Sequence, residues 1–134
     1  MICRFAVLAL AVVSLAAAAQ VTLPDQLRFL ATYNLFERIR ADPGFDLTKP
    51  ATFGYFFESK DEAATARVRE AMTKDGYTFV SEHRTRAGVV VLQMAKIEVH
   101  TVDSLVERNR NLFAVAASHG EVSYTGWDIT RNAR

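Results

Sequence analysis

Residues 52–58, TFGYFFE, form the stretch that decides the fold of this 134-residue chain. Phe53, Tyr55 and Phe57 occupy alternate positions, and the residues between them are small or apolar as well. Side chains alternate between the two faces of a β-strand, so this pattern predicts a strand that is largely buried on both faces. The sequence therefore places a central strand of a sheet here.

A helix is predicted directly after this strand. Ser59 and Glu62 have the spacing of a capping box, in which the serine oxygen accepts a bond from a free backbone amide and the glutamate returns one. The helix should therefore begin at about Lys60. It should end at the sequence KDG, where Gly76 can adopt the left-handed conformation that often closes a helix.

A hairpin, a second helix and a last strand are predicted to follow. Residues 77–84 and 89–99 are rich in β-forming residues, and Gly88 marks the turn between them. Apolar residues at helical spacing predict a helix from about Asp103 to Ser118. The alternating stretch EVSYTGWDI, residues 121–129, predicts the final strand.

The predicted order is strand, helix, strand, strand, helix, strand, which is the split βαβ arrangement of a ferredoxin-like α+β protein. In that fold two crossover helices cover one face of a four-stranded antiparallel sheet. The first and third strands are the most apolar of the four, as the two central strands of such a sheet should be. Hydrophobicity and topology therefore agree.

One more helix is predicted ahead of the sheet, from Pro24 to Ala41, and DPG at residues 42–44 ends it. Its apolar residues fall at helical spacing, which predicts an amphipathic helix with a single stripe. The stripe consists of Leu27, Leu30, Ala31, Leu35 and Ile39. This helix can cover the sheet face that the crossover helices leave free, or it can extend away from it.

Three stretches resemble the regulator of ribonuclease E activity B (RraB-like) family, the ribonuclease E inhibitor proteins. They are FDLTKPATFGYFFES, the helix closing on DGY, and HGEVSYTGWD. The most specific part is the motif Tyr124-x-Gly126-Trp127, in which Thr125 stands where the family commonly has Asp. The resemblance runs from Asp46 to Asp128.

The resemblance implies a small, non-enzymatic ferredoxin-like domain, and the best-known family member binds and inhibits an RNA-processing endonuclease. The chain is expected to have three parts. Residues 1–19 precede the folded region, residues 20–45 hold the N-terminal helix and its connection, and residues 46–134 form the RraB-like domain.

Residues 1–19 have the three parts of a secretory signal peptide. MICR supplies a positive charge, FAVLALAVVSL is an apolar core, and a run of alanines precedes an expected cleavage after Ala19. The alternative is a retained membrane anchor, but the apolar stretch is shorter than the about 20 residues of a bilayer span. We therefore expect a periplasmic or secreted domain without membrane contact, whose partner is an unknown protein rather than a cytoplasmic ribonuclease.

The composition excludes several classes of function. Cys3 is the only cysteine and would leave with the signal segment, so no disulfide, thiolate metal site or cysteine nucleophile is expected. Removal of Arg4 with the same segment reduces the 16 Lys and Arg residues to 15, against 15 Asp and Glu residues. A balanced charge is not typical of a protein whose main partner is nucleic acid.

No catalytic, metal or cofactor motif stands out, so we expect no enzyme activity and no cofactor. His83, His100 and His119 have no histidine or carboxylate partner at metal-ligand spacing. Glu98 and Arg108 are each interpreted as solvated charges. A catalytic group assembled from residues distant in sequence leaves no such motif.

The last strand supplies the candidate binding residues. In a regular strand Tyr124 and Gly126 share one face and Trp127 lies on the other, and the glycine admits a close neighbour or a bulge. Trp127 either covers the edge of the sheet or anchors a partner. Tyr55 is the fourth candidate. A pocket of Tyr55 and His83 on the open sheet face would favour a small-ligand binder or enzyme over a protein-binding module.

Overall fold

The computed structural model describes residues 23–130. The helices are α1 (Leu23–Ala41), α2 (Glu62–Lys74) and α3 (Val102–Ser118), and the strands are β1 (Ala51–Ser59), β2 (Thr78–Arg84), β3 (Val90–Glu98) and β4 (Ser123–Thr130). All strand pairs are antiparallel, in the order β2-β3-β1-β4. The predicted signal segment, residues 1–19, lies outside the described residues.

The predicted α+β fold with a split βαβ arrangement is confirmed, with β1 and β3 as the central strands. Tyr55 of β1 and Leu92 of β3 meet Val68 of α2 and Leu105 of α3 in a single hydrophobic core. Both crossover helices therefore cover the same face of the sheet. Phe36 of α1 joins this core as well, so the described helices leave the opposite sheet face open.

Asp61 caps the N-terminus of α2, and the capping box predicted for Ser59 and Glu62 is wrong. Asp61 Oδ1 accepts from the backbone amides of the second and third helical residues at 3.0 and 3.3 Å. A carboxylate immediately ahead of a helix is as good a cap as a serine. The Ser59 hydroxyl instead donates to the carbonyl of Glu121 at 2.7 Å, which ties the end of β1 to the approach to β4.

A β-bulge in β4 sets the direction of its side chains. The pairing with β1 shifts by one residue between Tyr124 and Gly126, so Thr125 is an extra residue in the strand. Gly126 has a φ of +153°, which glycine adopts without strain. Beyond the bulge Trp127 pairs with Tyr55, whose side chain faces the core. Tyr124 and Trp127 therefore share one face, and the predicted opposite placement of Trp127 is wrong.

α1 packs against α3 in the helix layer and exposes a second apolar face. Thr32 and Phe36 are buried, whereas Leu27 and Leu30 are 60% and 54% exposed. The predicted apolar stripe is therefore not buried in the first half of the helix. Apolar residues occur on nearly all sides of that half, so their spacing alone does not fix which side is buried.

Candidate functional site

A cavity of about 280 Å³ lies between β4, α1 and α3. We call it the β4 cavity. Tyr124, Gly126 and Trp127, three of the four predicted binding residues, line it together with Thr125. The bulge brings them there, because the extra residue turns both rings toward the helices.

Aromatic and aliphatic side chains form much of the cavity wall. Phe29 and Leu35 come from α1, and Phe113 comes from α3. The Phe113 ring meets the Tyr124 ring edge-on, with centroids 4.9 Å apart. Trp127 is partly buried against the core and also borders the cavity. Such a wall favours an apolar guest.

Four polar side chains at the cavity bond to one another. The Tyr124 hydroxyl donates to Asn109 Oδ1, and Asn109 Nδ2 donates to Thr32 Oγ1 at 3.4 Å. Trp127 Nε1 donates to the same threonine oxygen, also at 3.4 Å. Burial raises the pKa of the Tyr124 hydroxyl, which therefore stays protonated and keeps its role as a donor. The hydrogen bonds of these groups are thus directed at one another.

Two arginines lie over aromatic rings of the cavity wall, and Arg28 also lines the cavity itself. The Arg28 guanidinium lies 4.2 Å from the centroid of the Phe113 ring, and the Arg110 guanidinium lies 4.7 Å from that of Phe29. Arg110 also pairs with Glu107 on the surface of α3. Two guanidinium groups therefore cover aromatic rings of the cavity wall.

Tyr55, the fourth predicted binding residue, lies in a different region. It is fully buried, and its hydroxyl donates to Glu98 Oε2 at 3.2 Å. Arg108 donates to both Glu98 oxygens at 2.6 and 2.7 Å, and His100 Nε2 lies 2.8 Å from Oε2. We call these four residues the Glu98 network. The interpretation of Glu98 and Arg108 as solvated charges is therefore wrong.

Charge compensation within the Glu98 network fixes its protonation. Burial opposes ionisation of Glu98, but hydrogen bonds from Arg108 and His100 outweigh it and hold the pKa of Glu98 below its ordinary value. Burial lowers the pKa of His100 despite the neighbouring carboxylate, which favours the neutral ring. A neutral ring can donate from Nε2 to Glu98 and accept at Nδ1 from the Ser104 hydroxyl, 2.8 Å away.

The contacts from Ser104 through His100 to Glu98 have the order of a serine triad. Two features give them a structural role instead. Ser104 belongs to the capping box of α3 with Thr101, so its hydroxyl is engaged by the backbone. Arg108 binds the carboxylate at both oxygens, which holds α3 against the end of β3.

The family model described as Regulator of ribonuclease activity B matches residues 31–129, which is most of the chain. The chain belongs to this family. The match contains β1, β2 and β3, all of β4 except Thr130, both crossover helices and the second half of α1. No curated protein matches the chain significantly.

The Regulator of ribonuclease activity B family is regulatory, so this chain is a domain of the protein-binding, ribonuclease-regulating type. In this family member the motif Tyr124-x-Gly126-Trp127 acts as one structural unit. A spacing of three residues would separate the two rings in a regular strand, and the bulge at the glycine reunites them.

Asn109 and Thr32, which connect Tyr124 and Trp127 at the cavity, were not predicted from the sequence. A signal for Asn109 was present. It follows Leu105 by four residues and precedes Leu112 by three, so it is a polar residue inside an apolar helical stripe. For Thr32 no such signal exists, because the stripe of α1 was ambiguous.

Tyr55 and His83 do not line a common pocket, so the observation that would favour a small-ligand binder is not made. Tyr55 faces the helices, while His83 is exposed on β2 and borders a shallow hollow with Glu82 and Arg84. Within residues 23–130 no group of three or more His, Cys, Asp or Glu side chains is placed to hold a metal ion. Over the same range, no helix has the length and apolar character needed to cross a bilayer.

Proposed function

We propose that this chain acts by binding a protein, whose activity it thereby regulates, and that it catalyses no reaction itself. The observation that carries the proposal is the family match over residues 31–129. The family is described by its effect on ribonuclease activity, so a ribonuclease, with ribonuclease E first, is the class of partner to test.

The chemistry of the two polar regions supports a binding role. Glu98 is held by Arg108 in an ion pair, and Tyr124 is held by Asn109 in the cavity wall. Among residues 26–130, whose side chains the structure describes, every buried side-chain nitrogen or oxygen has a hydrogen-bond partner. Groups bonded in this way position side chains, whereas a catalytic acid or base needs access to a substrate proton.

We propose further that the chain is exported and that its partner is a periplasmic or secreted protein. The support is the order of charged, apolar and small residues in positions 1–19. Intact-mass measurement of the protein from its native host should give a chain that begins at or near Gln20. A cytoplasmic product that retains Met1 would contradict export and would make cytoplasmic ribonuclease E the expected partner.

The second candidate function, a small-ligand binder or enzyme on the open sheet face, lacks an observation in its favour. It depended on Tyr55 and His83 converging on that face. Tyr55 is instead buried against the helices. Protein binding is therefore the function that the site supports best.

The test is capture by the immobilised protein in two arms, one with purified ribonuclease E and one with periplasmic extract of the native host. We expect one protein to be retained stoichiometrically and its activity to change on binding. The control arm screens ester, phosphate and nucleic-acid substrates with added zinc, manganese or magnesium. Turnover that disappears in His100→Ala, with no protein captured in either arm, would contradict the proposal.

A further inference from the structure

We infer that the β4 cavity receives one aromatic side chain of the protein partner, presented by a segment with carboxylates beside that side chain. The inference rests on the proposed function to the extent that the occupant belongs to a protein. It goes beyond that function in naming the site of contact and the chemistry that fits it.

The size of the cavity suits a single ring. An apolar cavity of about 150 Å³ is large enough for benzene. The β4 cavity, at about 280 Å³, therefore has room for one aromatic side chain with its β-carbon but not for a folded element. A single buried aromatic residue in a pocket is a common way for a protein interface to gain most of its affinity.

The cavity wall offers aromatic surface, and its polar groups already have hydrogen-bond partners. Phe29, Phe113 and Trp127 border the space from three different elements. Tyr124, in the same wall, already donates its hydroxyl to Asn109. An entering ring would therefore gain aromatic contacts without breaking a hydrogen bond of the wall.

The bulge borders the cavity on the β4 side with backbone and with Trp127. Thr125, Gly126 and Trp127 all line the cavity. Gly126 pairs with Phe56, so a β-carbon at this position would point to the open sheet face, away from Trp127, and would meet no heavy atom within 4 Å there. A partner side chain in the cavity can therefore contact the strand backbone and Trp127 together.

The two arginines near the cavity favour particular residues on either side of the partner's aromatic side chain. Arg28, which lines the cavity, lies over Phe113, and Arg110 lies over Phe29 beside it. Glu107 compensates part of the charge of Arg110. A segment that places carboxylates on either side of its aromatic residue would meet these guanidinium groups and would associate faster than a basic segment.

The chain carries its own reporter for this contact, because Trp127 is the only tryptophan. The probe is the peptide acetyl-Glu-Asp-Phe-Asp-Glu-amide, titrated while Trp127 fluorescence is recorded. We expect a saturable change with this peptide, no saturable change when its Phe is replaced by Ala, and at least about fivefold weaker binding when its acids are replaced by Lys. Absence of saturation with the phenylalanine peptide would overturn the inference.

A matched pair of variants in α1 locates the binding. Ala31→Phe fills the cavity from its own wall, and Asn34→Phe adds the same ring on the exposed surface of the helix. We expect Ala31→Phe to weaken peptide binding at least about tenfold and Asn34→Phe to leave it unchanged. Thr125→Phe, from the β4 side, replaces Ala31→Phe if the latter does not fold. Equal affinity for the blocked and control variants would overturn the inference.

Two outcomes separate the inference from the proposed function. If neither capture arm yields a partner but the phenylalanine peptide saturates, the proposed function fails and the cavity remains an aromatic-anchor site. If a partner is captured and binds Ala31→Phe as tightly as the wild type, the cavity inference fails and the proposed function stands. A fluorescence change that tracks dimer formation in sedimentation, rather than peptide concentration, would also overturn the inference.

Discussion

Tyr55 and Tyr124 are both buried on the helix-covered face of the sheet, yet they belong to regions of opposite character. Burial raises the pKa of both hydroxyls, so both remain donors. Tyr55 joins a network whose central carboxylate, Glu98, already has Arg108 and His100 as partners. Tyr124 instead supports Asn109 beside a cavity.

Residue type and burial therefore do not distinguish a tyrosine inside a polar network from one beside an unfilled cavity. The neighbours do. Charged groups that neutralise one another leave nothing for a ligand to gain, as in the Glu98 network. Neutral groups that bond among themselves beside unfilled apolar space leave a surface that a ligand can cover, as in the β4 cavity.

The largest effect on stability is expected in the Glu98 network. Arg108→Ala removes the bidentate partner of a carboxylate that is only 13% exposed, so it should lower the free energy of unfolding by about 3 kcal/mol. Arg110→Ala is the matched control, since its pair with Glu107 is exposed on both sides. That change should cost less than about 1 kcal/mol. Urea denaturation at neutral pH measures both losses of stability. Equal losses would show that the buried ion pair of Glu98 stabilises the fold no more than the exposed pair of Glu107.

The two tyrosines themselves give the next comparison. Tyr124→Phe removes the hydroxyl that donates to Asn109 Oδ1 and should cost about 2 kcal/mol, because the buried amide oxygen loses that partner. Tyr55→Phe should cost about 0.5 to 1 kcal/mol, since Glu98 keeps Arg108 and His100. A lower denaturation midpoint for Tyr55→Phe than for Tyr124→Phe would show that the Tyr55 hydroxyl stabilises the Glu98 network more than its contacts indicate.

The smallest expected effect is the pH dependence that the Glu98 network contributes to stability. The pKa of His100 is lowered from 6.5, so its contribution to stability is present above pH 6.5 and is lost as the pH falls through the lower folded value. The pKa of Glu98 is lowered from 4.5, so its contribution is present above pH 4.5 and is lost below it in the same way.

Unfolding measured from pH 8 to pH 3 should therefore show two successive losses. Replacing His100 by Gln should remove the loss below pH 6.5, and replacing Glu98 by Gln should remove the loss below pH 4.5. A Tyr124→Phe variant is the control and should keep both. An unchanged pH profile in the two network variants would show that other groups control the acid stability.

The architecture was predictable from sequence because it depends on patterns that extend over many residues. The alternation around Tyr55 and the apolar run of β3 identified the central strands, and Gly76 and Gly88 marked a helix end and a turn as expected. Such signals repeat along an element, so one misleading residue does not change the result.

The candidate site was predictable only in part because its geometry depends on single residues. Gly126 signalled a bulge, but only the pairing shows that Thr125 is the extra residue and that Trp127 turns inward. Glu98 and Arg108 meet through the crossing of β3 and α3, which no local pattern encodes. The same holds for Thr32, which reaches Trp127 across 95 positions of the chain.

We infer that the β4 cavity serves binding, whereas the Glu98 network stabilises the fold. The most direct test is the Kd of the captured partner for Trp127→Leu and Arg108→Met, measured at a temperature where circular dichroism shows both variants fully folded. We predict binding about tenfold weaker or worse for Trp127→Leu and within about twofold of wild type for Arg108→Met. Wild-type affinity in Trp127→Leu together with lost binding in Arg108→Met would contradict the account.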